Sequence, residues 1–279
     1  MEDSQTRCLD LARFWRSVIG RMRSNLPSLQ GKNAVVTGSA HGIGEGIARL
    51  YAEQGARVLL TDKDENAGQS ATSSIQKAGG AAEFLQCDIS VKDEIDQLVR
   101  HAREGLGQID ILVNNAFFWN FKAFEDQEWE DLCQFSMVNM VGTTYLTQQI
   151  MRTMRDRLSG AVIFISSIHE ETVRRLHPPY SMGKGGIKML VRELAVEYGP
   201  YGIRVNAIAP GHVETEGTER ADNPYIPLGQ KSALPEDIAK LAVVLASEEV
   251  SGRITGVSIP VDGGERLYGE WVDRLKPGN

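Results

Sequence analysis

The sequence predicts a single doubly wound α/β domain, with seven parallel strands in one sheet and helices on both faces. Two observations carry this. From Gly31 onward, short apolar runs alternate with helix-length stretches, and strand–helix alternation is the pattern of parallel βαβ units. The first apolar run also leads straight into a glycine-rich turn that opens the first helix, the local order of a strand–turn–helix phosphate loop.

The strands are read in order as NAVVTG (33–38), RVLLTD (57–62), AEFLQCD (82–88), DILVNN (110–115), AVIFISS (161–167), IRVNAIAP (203–210) and ITGVSIP (254–260). Most are nearly continuous apolar runs, as expected of strands covered on both faces. Helices are expected at 43–54, 64–78, 91–105, 127–157, 180–198 and 235–247. No internal linker or short repeat interrupts 31–279, which reads as one domain. Residues 1–30 stand apart. Leu11, Trp15, Val18, Met22 and Leu26 recur at helical steps with Arg13, Arg16, Arg21 and Arg23 between them, which predicts an amphipathic helical extension. Glu2, Asp3 and Asp10 argue against a transit peptide, and no apolar centre suggests a secretory signal. A membrane-surface helix and a helix packed on its own domain or on a neighbouring subunit remain open.

The composition narrows the function. The chain has 279 residues, 42% hydrophobic and 24% charged, with a formal net charge of -7. An acidic balance disfavours a nucleic-acid binder, because phosphate contacts need clustered Lys and Arg. No run approaches the ~18 apolar residues of a membrane span. Cys8, Cys87 and Cys133 are odd in number and widely spaced, with no CxxC. They read as reduced packing residues of a cytoplasmic protein. The five histidines form no metal-ligand pattern, so no metal is expected.

Two stretches of the chain carry chemistry. The glycines of TGSAHGIGEGIA stand at 38, 42 and 44. They suit a tight turn that brings backbone close to a pyrophosphate at a helix N-terminus. The second strand ends in Asp62, 24 residues after Gly38. A carboxylate there accepts from the adenosine ribose hydroxyls and repels a 2′-phosphate, which favours NAD over NADP. His41 and Lys63 add local positive charge that softens this preference. In PPYSMGKGG (178–186), Tyr180 and Lys184 are four apart and share one helical face. A free phenol titrates near ~10 and is a poor base at neutral pH; lowering it by about three units takes roughly 4 kcal/mol. One cation ~4 Å away at intermediate dielectric supplies about that much, so Lys184 is expected to bring Tyr180 into range.

Taken together, the motifs resemble the short-chain dehydrogenase/reductase family over roughly residues 31–264. They are TGSAHGIG, CDIS, NNA (114–116), SMVNMVG, ISS, YSMGK and PGHVET. The resemblance implies a Rossmann-type fold and hydride transfer between NAD and a secondary alcohol or ketone. It implies catalytic roles for Ser167, Tyr180 and Lys184, with Ser167 13 residues before Tyr180. Asn139 is implied to hold a water behind Lys184. Cofactor contacts are expected at Gly38, His41, Gly42, Ile43, Gly44, Asp62, Asp88, Ile89, Asn114, Ala116, Pro210, Gly211, Val213 and Thr215, as well as Tyr180 and Lys184. In the family the two long helices pair across subunits, implying a homotetramer or dimer. Alternative readings are an NADPH-dependent 3-oxoacyl-type ketoreductase, which Asp62 opposes, and a non-catalytic dinucleotide-sensing module.

The pattern breaks at Phe117, which stands where the family motif has glycine. Phe118 and Trp119 follow it, so the segment is either an aromatic wall at the substrate mouth or core filling. ISSIHE, the YSMGK helix and ITGVSIPVDGG look especially like bacterial glucose 1-dehydrogenases, in which the positions of His169 and Glu170 help line the sugar site. Phe117, Trp119, Ser167, His169 and Glu170 are therefore the substrate candidates. Trp119 stands where that subfamily has a sugar-contacting glutamate, and buried sugar hydroxyls left unpaired cost ~1–3 kcal/mol each. A substrate less polar than glucose is expected. Arg174, Arg175 and His177 either meet an acidic group or form a solvated charge run.

Overall fold

The computed structural model describes residues 26–120, 122–174, 177–215 and 222–267. Seven parallel strands form one sheet in the order β3-β2-β1-β4-β5-β6-β7. They are β1 (Asn33–Thr37), β2 (Arg57–Asp62), β3 (Ala81–Gln86), β4 (Ile111–Asn114), β5 (Gly160–Ile165), β6 (Ile203–Pro210) and β7 (Ser258–Val261). The helices are α1 (Gly42–Glu53), α2 (Glu65–Lys77), α3 (Lys92–Leu106), α4 (Trp129–Ser136), α5 (Thr143–Arg157), α6 (Pro178–Tyr198) and α7 (Pro235–Ala246), with a short α8 (Glu248–Ser251).

The pleat sorts the strand residues into two cores. Ala34, Val36, Ile111, Val113 and Ile163 join α1, α2 and α7 on one face. Val35, Leu112, Val162 and Phe164 join α3, α5 and α6 on the other. Slipping any strand by one residue would exchange the two sets, so the register is fixed from both sides. The strand order reverses between β1 and β4, which places the ligand crevice beyond their carboxyl ends.

Two elements differ from the sequence reading. The expected seventh strand at 254–260 begins only at Ser258. Gly256 adopts φ +76°, and its N–H is drawn to Val205 O (2.8 Å), so the chain before it runs as a loop clasped to β6. The expected helix 127–157 is three pieces, because Met137–Gly142 forms a π-helical turn between α4 and α5. At the front, Leu29 is 1% exposed and belongs to the first core. Residues 26–30 thus pack on the domain; the predicted helix of 1–25 lies outside the described residues. No described helix is long and apolar enough to cross a membrane.

Candidate active site

The glycine turn is built by close approach. Gly38 adopts φ +61°, and a Cβ there would lie 2.7 Å from Ala116 Cα. A Cβ on Gly44 would meet Gly38 O at 2.2 Å, so the first turn of α1 sits directly against the loop. Only glycine leaves this backbone bare for a pyrophosphate at the N-terminus of a 12-residue helix. The residues present therefore fit a dinucleotide. Asp62 faces the same turn from the end of β2. Its Oδ2 accepts from Ala40 N (3.1 Å) and its Oδ1 from Asp64 N (3.1 Å). His41 leads into α1 with an exposed ring whose Nε2 is 3.8 Å from Asp64 Oδ2. Asp88 Oδ1 accepts from Ser90 N (2.8 Å) and Ser90 Oγ (2.7 Å), shaping the turn into α3, and Ile89 is buried behind it.

One sequence assignment moves by a single residue. Asn114 points away from the loop into the α5 side of the sheet, where its Nδ2 donates to Thr147 Oγ1 (2.9 Å). Its neighbour Asn115 is the one that braces the glycine turn, donating to Gly38 O (2.7 Å) and Thr37 O (3.1 Å). The only signal for this was pleat alternation at the end of β4, which the doubled asparagine hides.

Beyond β4, β5 and β6 lies a cleft of about 540 Å³. Ile43, Phe117, Trp119, Ser167, His169, Tyr180, Lys184, Pro210, Gly211, Val213 and Thr215 all line it. Pro178 and Pro179 start α6, since a missing N–H costs nothing in a first helical turn. Tyr180 follows and lines the cleft together with Ser167. Ser167 Oγ accepts from His169 N (3.2 Å) and lies 3.5 Å from Pro210 O, which ties the end of β5 to the end of β6. One turn along α6, Lys184 is buried and donates from Nζ to Ile165 O (2.9 Å).

The electrostatics of this trio differ from the expectation. Burial raises the Tyr180 phenol above its ordinary value, and the Ser167 hydrogen bond offsets only part of that. Burial also lowers Lys184 to about 7, against the opposing pull of the Glu170 carboxylate. Burial holds His169 down to about 4, so its ring is neutral at pH 7. The protein's own groups therefore leave the Tyr180 phenol above its ordinary value.

Three other side chains are engaged by the protein itself. Glu170 turns away from the cleft, accepting from Ser166 Oγ (2.6 Å) and Ser258 Oγ (3.0 Å), with Lys188 Nζ at 3.7 Å. It joins β5, β7 and α6 and is not a substrate contact, because two hydroxyls and an ammonium offer a buried carboxylate better partners than an open cleft. The Asn139 amide is engaged by the backbone of the aromatic segment. Its Oδ1 accepts from Phe118 N (2.8 Å) and its Nδ2 donates to Phe118 O (2.7 Å), so it pins the aromatic segment. Arg174 is no free cation, since its guanidinium meets the buried Glu265 (2.5 Å), whose other oxygen accepts from His212 N (2.8 Å). Glu265 and His212 also line the cleft; Glu265 lies outside the motifs, and His212 sits within PGHVET without an assigned role there. Arg175 lies outside the described residues.

A parallel sheet with a glycine turn at its switch point and a Ser–Tyr–Lys cleft beyond its strand ends defines a dinucleotide-dependent oxidoreductase. Residues 38–265 match the family model described as enoyl-(acyl carrier protein) reductase. Glucose 1-dehydrogenase 2 of Bacillus subtilis is 36% identical over 251 residues, covering 86% of this chain and 96% of that protein. 3beta-Hydroxysteroid dehydrogenase 1 of Eggerthella lenta is also 36% identical, covering 86% and 95%. Among solved structures, the 3-ketoacyl-(acyl-carrier-protein) reductase of Brucella melitensis complexed with NADH superposes with a TM-score of 0.80 at 30% identity, over 86% of this chain and all (100%) of that one. The chain belongs to the short-chain dehydrogenase/reductase family and is an oxidoreductase acting on CH–OH groups.

Proposed function

We propose that this protein is an NAD-dependent dehydrogenase that moves a hydride between the nicotinamide and a secondary alcohol or ketone less polar than glucose. The observation that carries this reading is the meeting of Ser167, Tyr180 and Lys184 in one cleft, on the sheet end where Gly38 and Asp62 also sit. Gly38, Gly42 and Gly44 would leave room for the pyrophosphate, and Asp62 would take the adenosine ribose. An oxidised nicotinamide, when bound, would supply the hydride acceptor and a positive charge. Tyr180 then takes the hydroxyl proton, while Ser167 donates to the same oxygen as its charge grows. Lys184 adds cationic stabilisation to the phenolate, and Asn139 acts as a positioning residue through Phe118.

The cleft supports a weakly polar substrate. Phe117, Trp119, Tyr180 and His169 give it aromatic walls, and its acidic neighbour Glu265 is already engaged by Arg174. Free Cys87 and Cys133 suit a reducing compartment such as the cytoplasm. The test is a spectrophotometric screen with NAD and NADP across sugars, steroids, cyclic alcohols and aryl alcohols, on the native chain and on Tyr180→Phe. The variant should retain no more than a few per cent of the native turnover while binding NAD almost as tightly. Substantial turnover without the phenol would remove Tyr180 from the mechanism, and full inertness of the native chain that still binds NAD would favour a dinucleotide sensor.

A further inference from the structure

The aromatic residue that replaces a glycine beside the cleft is in direct contact with a buried lysine of the site. Lys184 Nζ lies 3.8 Å from the centroid of the Phe117 ring, an ammonium set over a π face. Its hydrogen bond to Ile165 O points back toward the strand. Lys184 lines the cleft and yet is only 3% exposed. The ring is wedged edge-on between Tyr180 (centroids 5.1 Å apart) and Phe135 (6.0 Å). The next residue, Phe118, is held at both its N–H and its carbonyl by Asn139. Main-chain movement is thus restrained at Phe118, while the half-buried Phe117 ring is held by side-chain contacts with Tyr180, Phe135 and Lys184.

We propose that Phe117 is a shutter on Lys184, so that a dinucleotide reaches the ammonium only by displacing the ring. The inference rests on reading the cleft as a dinucleotide site. Its consequence is that part of the cofactor's binding free energy is spent on breaking the ammonium–ring contact. Phe117 is then a residue that sets cofactor affinity. Without a shutter, a small residue at 117 would merely enlarge the cleft and loosen whatever binds there. With one, it strengthens binding, and that opposite sign makes the idea testable.

Titration calorimetry with NAD on the native chain, Phe117→Gly and Phe117→Leu measures it. Removing a cation–π contact of ordinary strength should tighten NAD by about 2- to 30-fold in Phe117→Gly. Phe117→Leu keeps apolar packing against Phe135 and Tyr180 but has no π face, and should fall between the two. A second readout needs no dinucleotide. A pulse of acetic anhydride followed by peptide mass spectrometry should label Lys184 several-fold faster in Phe117→Gly than in the native chain. Should the glycine variant fail to fold, Phe117→Leu decides alone, and an NAD constant equal to or weaker than the native one overturns the shutter. Equal or weaker binding by a folded Phe117→Gly overturns it as well, leaving the dehydrogenase reading intact. If the native chain binds neither NAD nor NADP, both the shutter and that reading fall.

Discussion

Asp62 ends β2 with both carboxylate oxygens already held by backbone N–H groups, from Ala40 and from Asp64. Those bonds fix the direction of its charge toward the glycine turn. A 2′-phosphate brought within ~4 Å would meet a cost of several kcal/mol before screening. Each 1.4 kcal/mol is tenfold in affinity, so NAD should be preferred by at least ~100-fold in kcat/KM. His41 offers NADP little relief while its ring leans on Asp64. Asp62→Asn keeps the size and an acceptor, and should reduce the preference by at least about tenfold. A native enzyme that prefers NADP would overturn the assignment. Lys184 gives a second test at this scale. Its folded-state value of about 7 lies below its ordinary value of 10.5. Between those limits the unfolded chain binds more protons than the folded one, so this group makes stability rise with pH across that window. Lys184→Met lacks the titration. The native melting temperature should therefore gain on the variant's as pH is raised from 7 toward 10. A constant difference would mean that Lys184 stays charged when buried. Ser167, Tyr180 and Lys184 were legible in the sequence because a strand end and one helical turn fix their spacing. Asn115 and Glu170 were not, because side-chain direction just past a strand depends on which partners the fold brings near.

The π-helical turn of Met137–Gly142 shows what element-level reading leaves out. Its apolar pattern continues that of its neighbours, so 127–157 scans as one helix; a single inserted residue changes phase without changing composition. The structure supplies the reason for the bulge. Gly142 backs onto the loop after β3 so closely that an added Cβ would sit 1.7 Å from Ile89 O. Thr143 Oγ1 donates to Val138 O (3.0 Å), filling the widened turn. This arrangement aims Asn139 at Phe118 and so sets the position of the aromatic segment. Gly142→Ala must push the turn and the loop apart, with an expected loss of about 1–3 kcal/mol in urea unfolding at unchanged m-value. Turnover should fall with it, since Phe118 shifts with Asn139. A variant as stable and as active as the native chain would show that the close approach is not needed. The same limit explains β7, where the apolar letters of 254–257 mark a loop whose backbone turns at Gly256.

At the scale of the molecule, the sheet and its two cores bury the strand residues, but one face of α6 stays exposed. Met182, Met189 and Val196 recur every seven residues along it and are 57%, 51% and 79% exposed. Residues seven apart fall on one side of a helix, so these three form a single stripe. Beside the start of α6, where Gly183 admits the ring of Phe135 from α4, the π-helical turn exposes Met137, Met140 and Val141. Large apolar side chains grouped in this way on a surface call for a partner, and a self-complementary face closes most simply about a two-fold axis. We propose that α6 and the α4–α5 segment pair with their counterparts in a second copy, giving a dimer or a tetramer. A stable pairing of this kind buries about 1,200–2,000 Å², which an apolar stripe of about four helical turns on each copy begins to supply. Light scattering at micromolar concentration should give a multiple of the single-chain mass. Met189→Glu combined with Val196→Glu places like charges across the axis, and should shift the mass to one chain and lower the melting temperature. Because neither residue lines the cleft, the separated chain should still bind NAD. A native chain that scatters as a monomer would leave the stripe without its proposed partner.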